Sequence, residues 1–182
     1  MKRSVTRYDR VSIWLHWSIG IAIIVIAAAE LLRGELFPKG SFLRDGLKAL
    51  HDPAGTVVFA LIIVRLAWRS THAAPGLPAG TRPWEEFAAK LSHCTLYVMM
   101  ILLPLSGIAL TFARGRPINF GLFQIVSPLD HMVSRSVIRS LKGVHVFLGQ
   151  AVLVVAFVHA VSALWHHYFR RDDVLVRMLP MT

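Results

Sequence analysis

Residues 143–168, GVHVFLGQAVLVVAFVHAVSALWHHY, decide the fold. The stretch is apolar for longer than the roughly 20 residues a helix needs to cross the hydrocarbon core of a bilayer, yet it carries His145 and His159. An ionisable side chain at that depth is costly and normally faces a bundle interior where it has work to do. The two histidines lie fourteen residues apart, close to four whole helical turns, so they share one face at depths separated by about 21 Å.

Working outward, three further apolar segments reach membrane-spanning length, at about 11–32, 49–69 and 91–113. The expected architecture is therefore all-α, a polytopic four-helix transmembrane bundle in one domain over 1–182. Composition agrees, with 55% hydrophobic and only 16% charged residues. The single cysteine, Cys94, excludes an intramolecular disulfide and any cysteine-based cluster, which leaves histidine as the plentiful metal ligand. The net charge of +10 is spread over several connecting segments instead of one stripe. Such a pattern fits a membrane surface or an anionic reactant and argues against a nucleic-acid partner.

The first span follows Lys2, Arg3, Arg7 and Arg10 and ends in Ala27, Ala28 and Ala29, as a signal peptide would, but it is longer than a usual signal core and holds His16. It reads as a retained helix. Lysine and arginine number eleven on the side of the termini and nine on the other, which places both termini in the cytoplasm. Loops are punctuated by Gly34, Pro38 and Gly40, then by Pro75, Gly76, Pro78, Gly80 and Pro83. In the third, INFGLFQIV at 118–126 is expected to dip into the interface, and Pro104 with Gly107 to kink the third span.

In an antiparallel bundle of four, the start of the first span shares a leaflet with the end of the fourth, and the starts of the second and fourth share the other. His16 can then meet His159, and His51 can meet His145. Three of these histidines are followed four residues later by glycine, Gly20, Gly55 and Gly149, and the fourth by Ala163. Position i+4 lies one turn along the same face, so each imidazole projects beside a nearly bare strip of backbone with room for a flat ring. Two haems, each clamped by one imidazole pair, follow as an expectation. Interfacial histidines and glycines that serve only helix packing are the bland alternative. A directly bound structural zinc is disfavoured, because each layer offers two imidazoles and zinc takes four ligands.

RYDRVSIWLHW at 7–17, HDPAGTVVFALIIVRLAWR at 51–69, LSHCTLYVMMILLPLSG at 91–107 and HVFLGQAVLVVAFVHAVSALWHHYF at 145–169 together resemble the bacterial cytochrome b561 family, which is related to the haem-bearing membrane subunits of formate dehydrogenases and nickel-iron hydrogenases. The resemblance covers essentially the whole chain. It implies a multi-pass inner-membrane cytochrome with two b-type haems, and its ligand positions fall on His16 with His159 and on His51 with His145. It also implies ubiquinone as the acceptor. Bis-histidine ligation fills both axial positions, which favours outer-sphere electron transfer over chemistry at the iron.

Quinone reduction needs groups that bind the head and relay protons, and His93 and His166 are the candidates, His166 lying within HHYFRR at 166–171. On the opposite side, Arg33, Lys39, Arg44 and Lys48 of the first loop join Arg114, Arg116, Arg135, Arg139 and Lys142 of the third, against Asp130. That basic surface would gather a small anionic one-electron donor such as superoxide. Arg65 and Arg69 are expected near a haem propionate or at the interface. Two other functions stay in view: a haem-bearing membrane anchor for a partner dehydrogenase subunit, and a haem-free transporter using its buried histidines.

Overall fold

A computed structural model describes residues 7–78, 80–128 and 133–180. Four long helices run antiparallel: α1 Arg10–Glu35, α2 Phe42–Thr71, α3 Pro83–Ala113 and α4 Arg135–Trp165. All four are long and apolar enough to cross a membrane, so the expected bundle is the observed one. α4 runs on into one wider turn of π-helix, His166–Arg170.

Each helix begins several residues before its apolar run, except α1, and the reason is capping. Asp9 accepts from the Ser12 amide at 2.9 Å and the Ser12 hydroxyl at 2.6 Å, fixing the start of α1. Ser41 and Ser134 accept from the amides of Arg44 and Val137 and start α2 and α4 seven and eight residues ahead of the apolar stretches. α3 opens on Pro83, whose missing amide proton costs nothing there, and Glu85 reaches back to the Arg82 amide at 2.8 Å. Polar first turns are invisible to a hydropathy reading.

Asp9 also accepts from the Trp68 indole at 3.0 Å, tying the start of α1 to the end of α2. Burial works to raise its carboxyl, but the bonds from Ser12 and Trp68 outweigh that and hold it below the usual carboxylate range. α3 passes through Pro104 and Gly107 as one continuous helix. The segment expected to dip into the interface forms a short hairpin, β1 Ile118–Asn119 with β2 Gln124–Ile125, Ile118 opposite Ile125. Gly121 takes a φ of +86° at its turn, where a side chain would be strained. Ile118 is buried against the bundle, while Leu122 at the tip is 99% exposed.

The tightest packing lies in the middle of the bundle. Ile19 of α1 meets Val58 and Ile62 of α2, with Met100 and Ile101 of α3 packed against them. α1 packs on α2, α2 on α3 and α3 on α4, whereas the α4 backbone keeps its distance from α1 and α2. Val152 is the one buried residue of α4. Outward-facing side chains such as Ile24, Val25, Val154 and Phe157 are large, apolar and exposed, as lipid contact requires.

Beyond α4, residues 171–180 fold back across the end of the bundle. Arg171 turns the chain with a φ of +53°. The Asp172 carboxylate lies 2.5 Å from His166 Nδ1, and Arg177 pairs with Asp173. The Trp17 indole then donates to the Met178 carbonyl at 2.7 Å, so the segment straps α4 to α1.

Candidate functional site

Four of the five α-helical histidines, His16, His51, His145 and His159, form two pairs, one toward each end of the bundle. In the layer nearer the termini, the rings of His16 and His159 have their centres 6.2 Å apart at an interplanar angle of 71°. In the layer beside the first and third loops, His51 and His145 stand 6.0 Å apart at 81°. The pairing that helix order predicts is thus the pairing in space.

These separations can be compared with what a bis-imidazole iron would demand. A metal–nitrogen bond of about 2 Å on each side, plus roughly 1 Å from nitrogen to ring centre, puts two rings on one metal about 6 Å centre to centre. Both pairs meet that requirement, and neither layer needs a third protein ligand. Among the described residues, no cluster of three or more His, Cys, Asp or Glu side chains is disposed to hold a bare metal ion.

Polar neighbours distinguish the imidazoles. His145 Nδ1 lies 3.1 Å from the Leu103 carbonyl and 3.0 Å from the Ser106 hydroxyl. A carbonyl only accepts, so Nδ1 carries the proton and Nε2 presents its lone pair. His16 Nδ1 lies 3.4 Å from an Arg65 nitrogen, and Arg65 also donates to the Ser12 carbonyl at 3.1 Å. Arg69 lies elsewhere, 5.6 Å over the Tyr8 ring.

A cavity of about 520 Å³ opens beside His51 and His145, a volume in the range of small-molecule sites. Gly55, Thr56, Gly107 and Ile108 line its walls, and Arg33, Lys48, Arg114, Arg116 and Lys142 line it with only Glu30 and Asp52 to offset them. Arg116 stands 3.5 Å from Asp52, and Thr111 donates to that carboxylate at 3.2 Å. Burial lowers the affinity of the Arg114 guanidinium for its proton, and the charge of Arg116 adds to the effect. Lys48 and Lys142 make no ion pair among the described residues. Asp130 lies outside the described residues.

The glycines divide into two kinds. A methyl group added at Gly20 or Gly55 meets nothing within 4 Å, and at Gly149 only Leu103 Cδ1 at 3.8 Å. Gly20 and Gly55 therefore do not sit at tight helix contacts. The tight contact is at Gly107, where an added methyl would lie 2.9 Å from His145 Cε1 and 3.3 Å from its Nδ1. No motif in the sequence marks Gly107 or Ser106 as a partner of His145. The signal is one of position: counted back along the antiparallel hairpin of the third and fourth spans, they fall near the depth of His145.

His93 joins the first layer, its ring centre 5.4 Å from that of His159. It projects from α3 with its side chain exposed at the bundle surface. His166 opens the π-turn immediately after α4 and pairs with Asp172.

A sequence model for a family described as prokaryotic cytochrome b561 matches residues 7–181. Among curated proteins, the chain is 34% identical to cytochrome b561 homolog 1 of Escherichia coli K12, over 97% of this chain and 98% of that one. It is 29% identical to a probable superoxide oxidase of Yersinia pestis, over 96% of each chain. A cytochrome b562 of Cereibacter sphaeroides is 28% identical over 94% of each.

Proposed function

The chain belongs to the prokaryotic cytochrome b561 family, and from that premise we propose that it carries electrons across the inner membrane, from a small anionic donor outside to ubiquinone within the bilayer. Membership makes it a multi-pass inner-membrane protein, an oxidoreductase of the electron-transfer type with haem-binding capacity. The observation that carries the finer reading is the pair of imidazole pairs, 6.2 and 6.0 Å between ring centres, in two layers on one helix. His16 with His159 would hold one haem and His51 with His145 the other. Gly20, Gly55 and Gly149 leave the helix surfaces beside them bare enough for a macrocycle to lie close. When bound, the two haems would supply a one-electron relay.

The protein's own residues divide the remaining work. Coordination of His16 through Nε2 requires Nδ1 to bear the proton, so Arg65 must release that nitrogen and is free to pair with a propionate. Lys48, Arg114, Arg116 and Lys142 give the cavity over His51 and His145 a positive field that would draw in an anion. Superoxide suits it. Two superoxide anions lose one electron each to give two molecules of dioxygen, and one quinone takes those two electrons and two protons to become the quinol. His93, exposed toward the lipid yet beside His159, would contact the quinone head and pass it a proton. His166 would serve the same exit from the next turn. These assignments put the end that holds the termini in the cytoplasm.

An absorption spectrum of the purified protein, oxidised and dithionite-reduced, tests the reading. Sharp reduced b-type bands with two haems per chain are expected, and a colourless protein would leave a haem-free transporter as the better account. His93→Ala and His166→Ala should each slow quinone reduction about 10²-fold or more, the scale of a lost acid–base group, while the haem spectrum stays unchanged. Turnover at the wild-type rate would remove either residue from the exit site. Steering by the basic cavity predicts that the rate with superoxide falls steeply as ionic strength rises from 0.01 to 0.15 M, where the screening length shrinks from about 30 to about 8 Å. A flat salt profile would count against an anionic donor.

A further inference from the structure

Of the four imidazoles, His51 has the least ordinary surroundings. His145 is oriented by a neutral carbonyl and a hydroxyl. His51 instead faces a carboxylate: Glu30 Oε2, on α1, lies 3.9 Å from His51 Nδ1. That carboxylate is not loose. Arg33, one turn along α1, grips it with two nitrogens, the Nε contact with Oε2 measuring 2.8 Å. Arg33 is itself embedded at the end of α1, where its carbonyl and that of Phe37 both accept from Arg44 at 3.0 and 2.6 Å. The arrangement holds a carboxylate, compensated by Arg33, at a fixed place beside one histidine near the C-terminal end of α1.

We propose that Glu30 is the positioning residue for His51. From 3.9 Å, within ion-pair range of Nδ1, its carboxylate favours the tautomer that keeps the proton on Nδ1 and leaves Nε2 free for iron, and it lends the imidazole anionic character. A carboxylate behind a ligating histidine raises the ligand's basicity and stabilises the more positive metal state. The haem of this layer is therefore tuned downward in reduction potential by Glu30, whereas among the described residues no carboxylate pairs with His16 or His159. The proposal rests on the haem assignment above.

The test is a redox titration of the full-length, haem-loaded protein with low-spin electron paramagnetic resonance of each centre. Glu30→Gln keeps the shape and removes the charge. Both haems should remain, one midpoint should rise by about tenfold in its oxidised-to-reduced equilibrium, ~59 mV for one electron, and the other should not move. The resonance of the same centre should change. Glu30→Asp, which keeps the anion on a shorter stem, should fall between Glu30→Gln and wild type. A Glu30→Gln protein with both haems and both midpoints at wild-type values overturns the proposal, as does Glu30→Asp behaving as Glu30→Gln does. A wild-type protein that binds no haem fails the functional reading instead, so the two failures are told apart.

Discussion

Replacing either histidine of α4 by alanine should halve the haem content of the purified protein, and replacing both should abolish it. His145→Ala removes the partner 6.0 Å from His51, and His159→Ala removes the partner 6.2 Å from His16. In each case one imidazole remains, and a haem with one axial ligand loses both affinity and its low-spin spectrum. The two single variants should lose different haems, so their residual spectra, midpoints and magnetic resonances should differ and together reproduce those of the wild type. Haem extraction with a protein assay and a reduced-minus-oxidised spectrum measures all of this. Two single variants with indistinguishable residual spectra would mean that one site uses other ligands.

Gly107→Ala should damage only the haem of the His51 and His145 layer, although Gly107 bears no ligand atom. The new methyl would sit 2.9 Å from His145 Cε1, closer than two carbon atoms tolerate, and 3.3 Å from Nδ1, so the ring or its backbone is expected to shift. A shifted ring loses its bond to the Leu103 carbonyl, and with it the tautomer that offers Nε2. Loss of an orienting partner typically weakens a metal site by about 10- to 100-fold, so a fraction of the protein should emerge with one haem. Ser106→Ala, which removes the hydroxyl 3.0 Å from the same nitrogen but adds no bulk, should have a smaller effect. Full occupancy of both sites in Gly107→Ala, at unchanged midpoints, would show that His145 has slack the contact does not suggest.

The membrane-crossing parts of the helices and the histidine pairing were legible because both follow from strong, long-range regularities. Apolar runs of bilayer length are hard to mistake, and helix order alone decides which ends share a leaflet. Less was legible where a few local bonds decide the outcome. The early starts of α2 and α4 depend on the hydroxyls of Ser41 and Ser134, and a hydropathy reading gives those polar turns to the loops. The segment expected at the interface takes the form of a hairpin because Gly121 permits a reversal and Ile118 finds a buried seat. The strap of residues 171–180 rests on Asp172 meeting His166 and on Trp17 donating to Met178, contacts between distant or unremarkable positions that no periodicity marks. The same holds for Gly107, whose significance is a steric relation to another helix.

α4 runs without a proline or a break from Arg135 to Trp165, and each histidine layer takes one imidazole from it. Their interval is then a matter of helical rise per residue, about 21 Å over the fourteen residues from His145 to His159. Thinning of the bilayer, tilting of the bundle or the docking of a partner can shift α1 and α2 sideways, but none of them lengthens that rod. On the proposed haem assignment, throughput would be governed at the two mouths, where reactants arrive and leave, and the stretch in between would behave as a component of constant resistance.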